Sequence, residues 1–182
     1  EATLDAKREE TEALIRAMRK AGRHFVDPAN WEENAAILAR PEYIGADPVL
    51  VERAISDRLV LAHGMAPVHF PDFMFQYSEA ANFPWVSQAA WLYSQMVRWN
   101  HAQFDAADVA RAAGVFRPDV YRSAIISTGD DLPAANSKVE GSVSQLTQVG
   151  TQQGSITLSA NSFFDGRSFD PDRITEYLAQ CG

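Results

Sequence analysis

Apolar side chains recur at helical spacing through most of the first two-thirds of the chain. The first such segment, from about residue 4 to residue 24, is rich in Glu, Arg and Lys and carries apolar residues at Leu14, Met18, Ala21 and Phe25. This three-and-four spacing predicts an amphipathic helix with one apolar face.

Three Asp-Pro pairs indicate where further helices begin. They are Asp27-Pro28, Asp47-Pro48 and Asp170-Pro171. An aspartate before the first turn accepts hydrogen bonds from free amides, and proline fits that turn because its missing N–H would have no helical partner there. Apolar residues follow each pair on one helical face, at Trp31, Ala35 and Leu38, at Val51 and Ile55, and at Ile174 and Leu178. The first of these helices is expected to end before Pro41.

The most apolar helix is predicted over residues 86–100. Its large side chains are Trp91, Leu92, Tyr93, Met96, Val97 and Trp99. Because they leave almost no polar face, we expect this helix to be central and buried. Two shorter helices are predicted after it, one capped by Asp105 and ending near Gly114, the other opened by Pro118.

Two segments lack a regular pattern. Residues 58–83 contain prolines, glycines and scattered aromatics, which predict an ordered loop. Residues 127–165 are rich in Gly, Ser, Asn and Gln, and only Ser155–Leu158 alternates like a strand. A connection this long is uncommon inside a compact domain. We therefore predict a helical part over residues 1–126 and, over 127–182, an extended arm with a short strand and a C-terminal helix.

Composition excludes several classes of protein. The 182 residues are 46% hydrophobic and carry a formal net charge of −8, which fits a globular protein and argues against nucleic acid as a partner. Cys181 is the only cysteine, so no internal disulfide can form. The sequence contains no apolar run long enough to span a membrane. It begins Glu1-Ala2-Thr3 without a methionine, so we expect the true beginning to lie upstream.

Three pairs of residues are candidates for metal binding or catalysis, namely His63 with His69, Ser142 with Ser144, and Asp130 with Asp131. No HExxH pattern or cysteine completes a ligand set around the histidines. The serines lack the second glycine of a nucleophile elbow, and adjacent acids beside a glycine are typical of a solvated turn. An enzyme is therefore not predicted, although catalytic groups need not be close in sequence.

A candidate anion site lies at the start of the apolar helix, at Trp85, Ser87 and Gln88. Free backbone amides and the helix dipole favour an anion there, and the three side chains offer an indole N–H, a hydroxyl and a carboxamide. The alternative is that Ser87 caps the helix and Trp85 packs in the core. The aromatic run from Phe70 to Trp99 is expected to be mostly core, with a ligand cleft or a partner surface as alternatives.

The chain resembles the C-terminal half of nitrate- and bicarbonate-binding proteins of the NrtA/CmpA type. The strings that carry the resemblance occur in order as Arg40-Pro-Glu-Tyr-Ile-Gly45, Asn82-Phe-Pro-Trp-Val-Ser-Gln88, Tyr93-Ser-Gln-Met-Val-Arg-Trp99, Val115-Phe-Arg-Pro-Asp-Val-Tyr121 and Phe163-Phe-Asp-Gly-Arg-Ser-Phe-Asp-Pro171. The resemblance implies a mostly α chain with a few short strands, forming part of a two-lobed α/β fold like the type II periplasmic binding proteins. It also implies that the N-terminal lobe, which holds most anion contacts in that family, is absent here.

The implied function is binding of a small oxyanion, nitrate, nitrite or bicarbonate, without a cofactor. The family has a periplasmic branch that serves an ABC transporter permease and a cytoplasmic branch that senses nitrate and holds an antiterminator regulator. The segment Asp131–Gly141 and the closing Phe-Asp-Gly motif resemble the sensor branch more closely. The alternative function is a helical protein-interaction module, or a regulator-binding sensor segment, with no ligand of its own.

Overall fold

The computed structural model describes residues 2–70 and 81–181 of the chain. Its contacts define two compact units, one formed by residues 16–82 and the other by residues 1–15 together with 83–182. The α-helices in the described residues are α1 (Ala2–Ala6), α2 (Arg8–Val26), α3 (Trp31–Leu38), α4 (Pro48–Ile55), α5 (Val86–Arg98), α6 (Ala106–Ala113), α7 (Pro118–Ile125) and α8 (Ile174–Ala179). The strands are β1 (Arg58–Leu59), β2 (Val68–His69), β3 (Thr147–Gly150) and β4 (Ser155–Leu158). The predicted mainly helical chain with a few short strands is confirmed.

The smaller unit, residues 16–82, has its core between α3 and α4. Ala35, Val51 and Ile55 are buried there, and Phe25 and Trp31 pack against them. Both Asp-Pro starts in this unit are confirmed. The Asp27 carboxylate accepts from the amide of Ala29 at 3.0 Å, before a single 3₁₀ turn that runs into α3. The Asp47 carboxylate accepts from the amide of Val49 at 2.8 Å at the start of α4.

The helix predicted over residues 4–24 is present as α1 and α2, but its apolar face is not the buried one. Leu14 and Met18 are 60% and 61% exposed. Arg19 and Gly22 are the buried residues of α2. Leu14, Met18 and Ala21 of this apolar face are all exposed, and Phe25 is the member that packs on a core.

In the larger unit, α5 packs through its small and polar side chains. Its buried residues are Ser87, Ala89, Ala90, Ser94 and Gln95. Two of its large apolar side chains lie on the outside, with Leu92 52% and Met96 45% exposed, and Trp99, the C-cap, is 59% exposed. Trp91, by contrast, packs against the core cluster that contains Ala90. The prediction of an all-round buried helix is wrong because small residues let neighbouring segments approach one face closely, and that face takes up the burial.

The helix start predicted at Asp170-Pro171 is also wrong. Asp170 accepts a hydrogen bond from the amide of Asp172 at 3.0 Å in a turn, and α8 begins at Ile174. The preceding Phe169 is completely buried, with its ring 5.2 Å from that of Tyr177 at a right angle. These two residues and Ile174 form a core cluster with Ala90 of α5.

The polar segment after α7 contains an antiparallel hairpin. Strand β4 was predicted and is confirmed, while its partner β3 was not predicted. The strands pair from Thr147 opposite Leu158 to Gly150 opposite Ser155. Gly141 has φ of +74°, and a side chain there would place its Cβ 2.7 Å from the Phe163 ring, so both the backbone and the packing require glycine.

This segment belongs to the same compact unit as α5 and α7. Leu132 and Leu158 are buried, and Glu140 pairs with Phe169 in an isolated antiparallel bridge. The predicted division into a helical part over residues 1–126 and an arm over residues 127–182 stays a prediction. Among the described residues, none of the helices combines the length and the apolar character that a membrane crossing requires.

Candidate functional site at the start of α5

Trp85, the first predicted site residue, is the N-cap of α5 and part of an aromatic core. Its backbone is extended, at φ −64° and ψ 119°, and its side chain makes no capping hydrogen bond. The ring is 5% exposed and meets Phe83 edge-on, with centroids 5.0 Å apart. Phe83 in turn meets Tyr121 of α7 at 5.7 Å. Trp85 therefore anchors the beginning of α5 between α7 and the polar segment.

Ser87, the second site residue, is bonded to a buried ion pair. Its Oγ donates to Glu140 Oε1 at 2.6 Å and accepts from the backbone amide of Lys138 at 3.2 Å. The Lys138 ammonium pairs with the other carboxylate oxygen of Glu140 and lies 5.5 Å from the Trp85 ring centroid. Ser87 is completely buried and Glu140 is 6% exposed. Ser87 does not cap the helix, so that part of the alternative is wrong, whereas the packing of Trp85 in the core is confirmed.

Carbonyl groups of the chain itself accept hydrogen bonds from amides at the start of α5. The Val86 amide donates to the carbonyl of Asn136 at 2.9 Å, and the Gln88 amide donates to that of Trp85 at 3.0 Å. The Glu140 carboxylate lies beside this positive end of the helix dipole, where a negative charge is stabilised. An external anion would therefore compete with an internal one for the hydroxyl of Ser87.

Arg122 holds the neighbouring strap in place. We use strap for residues 133–136, which run past the start of α5. The Arg122 guanidinium donates to the carbonyls of Pro133 at 2.8 Å and Ala135 at 2.9 Å, and to Asn136 Oδ1 at 2.6 Å. It also lies 4.9 Å from the Phe83 ring centroid. Burial lowers the pKa of Arg122, which agrees with a cation drawn partly out of water.

Of the three predicted site residues, the structure brings two together. Trp85 and Ser87 share the buried cluster, whereas Gln88 is exposed on the outer side of α5. Contact of any of the three with a ligand stays a prediction. Sequence reasoning missed Lys138 and Glu140 because a lysine and a glutamate two residues apart in a polar loop are typical of a solvated surface.

The other candidate residues have structural roles or are exposed. His63 and His69 are both exposed, and among the described residues no group of three His, Cys, Asp or Glu is placed to hold a metal ion. Asp131 accepts from the amides of Leu132 at 2.9 Å and Gln153 at 3.2 Å, which ties two loops together. The Ser142 hydroxyl donates to the carbonyl of Val139 at 2.8 Å.

A second candidate site is a cavity of about 320 Å³ between the C-terminal half of α5, residues 163–165 and α8. Trp91 and Phe163 stack along it, with centroids 5.3 Å apart and planes 29° from parallel. Its charged groups are Arg98 and Asp165. Hydrogen bonds from the backbone and side chain of the neighbouring Arg167 lower the pKa of Asp165, so its carboxylate is ionised at neutral pH.

Comparison with known proteins finds relatives among the NrtA proteins that the sequence segments above resemble. No family model matches the chain. The nitrate/nitrite binding protein NrtA of Synechococcus elongatus is 26% identical over 170 residues, which are 92% of this chain and 34% of that protein. The crystal structure of the periplasmic nitrate-binding protein NrtA from Synechocystis superposes with a TM-score of 0.76 at 20% identity. The superposition covers 98% of this chain and 42% of that structure.

The chain is homologous to the NrtA-type nitrate-binding proteins. It has part of a type II periplasmic-binding-protein fold. It spans about a third of the length of the NrtA relatives that it matches.

The chain also matches a protein that is not an NrtA, the nitrate import ATP-binding protein NrtC of Synechococcus elongatus. It is 28% identical over 182 residues, which are 99% of this chain and 24% of that protein. The 182 residues contain no G-x-x-x-x-G-K-[ST] string, the motif that cradles nucleotide phosphates in many ATPases. The likeness therefore gives no reason to assign ATP binding to this chain.

Proposed function

We propose that the protein to which this chain belongs binds a small oxyanion, nitrate or nitrite foremost, with bicarbonate as a further candidate. The observation that carries the proposal is the relationship to NrtA, a nitrate/nitrite binding protein, over 92% of the chain. The shared fold supports it, because two-lobed binding proteins enclose a ligand by closing one lobe on the other.

The start of α5 is the part of this chain that we propose to contribute to the ligand site. A planar anion requires several N–H or O–H donors that converge in a water-poor cleft. The Ser87 hydroxyl already donates its hydrogen bond to Glu140, whereas Gln88 is exposed. We therefore propose that Gln88 donates to the anion, while Trp85 and Ser87 fix the helix start from which it projects.

Calorimetric titration with nitrate, nitrite and bicarbonate tests this function. It should be run on the 182-residue chain and on a longer protein that includes the upstream sequence. Because closure requires both lobes, the longer protein should bind nitrate at least about 10-fold more tightly than the chain alone. Equal affinities would argue against the two-lobe account. Failure of the longer protein to bind any of the three anions would overturn the function.

The contribution of Gln88 has its own test. Gln88→Ala in the longer protein should weaken nitrate binding by about 10-fold, the effect of one lost hydrogen bond to a charged group. Gln103→Ala is the matched control, since Gln103 is also exposed and follows the same helix. An unchanged affinity in Gln88→Ala would remove this contact while leaving anion binding intact.

The partner and the compartment are further proposals. We propose delivery of the anion to an ABC transporter permease in the periplasm, and the names periplasmic nitrate-binding protein and nitrate import ATP-binding protein of two relatives support this. The alternative is a cytoplasmic nitrate sensor that holds an antiterminator regulator. Cell fractionation and co-purification from the native host separate these proposals, since each requires a different partner in a different compartment.

The exposed face of α5 favours a second candidate function, a protein-interaction module. Leu92, Met96 and Trp99 lie one turn apart along it and are each close to half exposed or more, an arrangement typical of a surface that a protein covers. A longer protein that binds none of the anions but retains a partner through this face would replace the first proposal with the second.

A further inference from the structure

The cavity between α5, residues 163–165 and α8 has the size and the chemistry of a ligand site. Its volume of about 320 Å³ lies within the range of pockets that hold small molecules. A nitrate ion would fill little of it and would leave its aromatic walls without contacts. The cavity therefore fits a ligand larger and more apolar than the anion of the proposed function.

Arg98 places a half-buried cation in the cavity, and its guanidinium makes only long contacts with the described residues. Its side chain is 29% exposed. Its contacts within the described residues are long, 3.5 Å to Gln95 Oε1 and 4.0 Å to Asp165 Oδ2. A guanidinium has five N–H donors in a fixed planar arrangement that matches a carboxylate. Among the described residues, most of these donors have no close acceptor.

The nearby acid does not neutralise this cation by itself. Asp165 already accepts from the backbone amide of Arg167 at 3.1 Å and from its guanidinium at 3.0 Å. Two arginines thus share one carboxylate, which leaves a local excess of one positive charge in a chain whose net charge is −8. A ligand that carries a single negative charge would restore the local balance.

The walls of the cavity are aromatic. Trp91 stacks with Phe163 along it, and Trp99 also lines it and is 59% exposed. The buried indole Nε1 of Trp91 has no hydrogen-bond partner in the part of the chain that the structure describes. Aromatic rings pack favourably against one another in stacked or edge-on arrangements. The cavity thus combines a surface for a flat apolar group with donors for an anionic one.

We propose that this cavity binds a small aromatic carboxylate, with its ring against the tryptophan walls and its carboxylate paired to the Arg98 guanidinium. A bidentate pair of this kind fixes both the position and the orientation of the carboxylate. The site is separate from the start of α5, so the inference does not depend on the oxyanion function.

Benzoate is the probe, titrated into the 182-residue chain by calorimetry or by NMR. A ligand of this size should bind with a dissociation constant of about 1 mM. Benzamide has the same ring without the charge, and acetate has the charge without the ring. Each should bind at least about 10-fold more weakly, because each loses one of the two interactions. These comparisons require no change to the protein.

Arg98→Gln should weaken benzoate binding by about 10-fold to 100-fold, the range for a lost charge-assisted hydrogen bond. Arg111→Gln removes the same charge from an exposed position on α6 and should leave the affinity unchanged. Circular dichroism of both variants checks that they fold. Saturating nitrate should not displace benzoate.

Four results would overturn the proposal. They are no benzoate binding at about 10 mM, equal binding of benzoate and benzamide, equal weakening by both arginine substitutions, and displacement of benzoate by nitrate. The first three do not bear on whether a longer protein binds nitrate, so the failure of this proposal can be distinguished from the failure of the oxyanion function.

Discussion

Replacing Arg122 by methionine tests whether its guanidinium is the main tie between α7 and the strap. Methionine keeps an unbranched apolar side chain over Phe83 and removes every donor. Three hydrogen bonds of 2.6–2.9 Å would be lost. At roughly 1 kcal/mol for each of these bonds, which range from exposed to partly buried, the loss is about 3 kcal/mol. The contact with the Phe83 ring adds about 0.5–1 kcal/mol.

The expected loss of about 3–4 kcal/mol is measured by urea unfolding. Tryptophan fluorescence follows it, since Trp85, Trp91 and Trp99 all lie in the larger unit. Arg122→Lys should recover only part of the loss, because an ammonium cannot reach three acceptors in a fixed plane. The control Arg111→Met, at an exposed ion pair with Asp108, should cost less than about 1 kcal/mol.

Two outcomes would refute this reasoning. If Arg122→Met unfolds within about 0.5 kcal/mol of the unchanged protein, the strap does not depend on the guanidinium. If Arg122→Lys restores full stability, charge alone explains the effect and the planar geometry does not matter.

Three further predictions concern single contacts. Ser87→Ala leaves Glu140 Oε1 without its hydroxyl donor and should cost about 1–3 kcal/mol in urea unfolding; no loss would show that water replaces the hydroxyl. The hydrogen bond from Arg117 lowers the pKa of Asp119 from 3.8 to about 2, so this pair favours the folded state above pH 3.8 and loses its effect as the pH falls towards 2. In Arg117→Gln, an NMR titration should find that pKa back near 3.8, and an unchanged value would exclude the arginine as the cause. Asp105→Ala removes the N-cap of α6 and should lower stability by about 1 kcal/mol, whereas Asp105→Asn should retain most of it.

Helix starts could be predicted where they depend on neighbouring residues alone. Asp47 and Asp105 cap their helices because each carboxylate needs only the amides two or three residues ahead. The same reasoning failed at Asp170-Pro171. There the backbone of Phe169 exchanges two hydrogen bonds with Glu140, at 2.8 and 2.9 Å. This pairing with a distant segment holds the chain extended, and a turn separates it from α8.

The position of the candidate site could be predicted from the sequence, but whether its hydrogen-bond donors are free for a ligand could not, for a related reason. The backbone amides, the Trp85 indole and the Ser87 hydroxyl lie at the start of α5, as local helix geometry requires. Their availability depends on Glu140, whose bond to Ser87 joins residues 53 positions apart. No pattern within a few residues of either one indicates that contact. A short polar side chain at a helix start therefore does not by itself predict an anion site. An internal carboxylate accepts its hydrogen bond as well as a bound anion would.

The orientation of α5 follows from a similar ambiguity. Periodicity locates a buried face when one side of a helix is charged, but in α5 the charged residue is Arg98, near its end. The choice of face is then made by packing. Ala90 allows Phe169 and Tyr177 to approach the helix closely, and dense contact of this kind stabilises more than burial of large side chains against a loose surface. Leu92 and Met96 are left exposed, and at the end of the helix Trp99 and Arg98 both line the cavity. The same packing choice that contradicts the sequence-based prediction thus places the cation and the aromatic wall side by side.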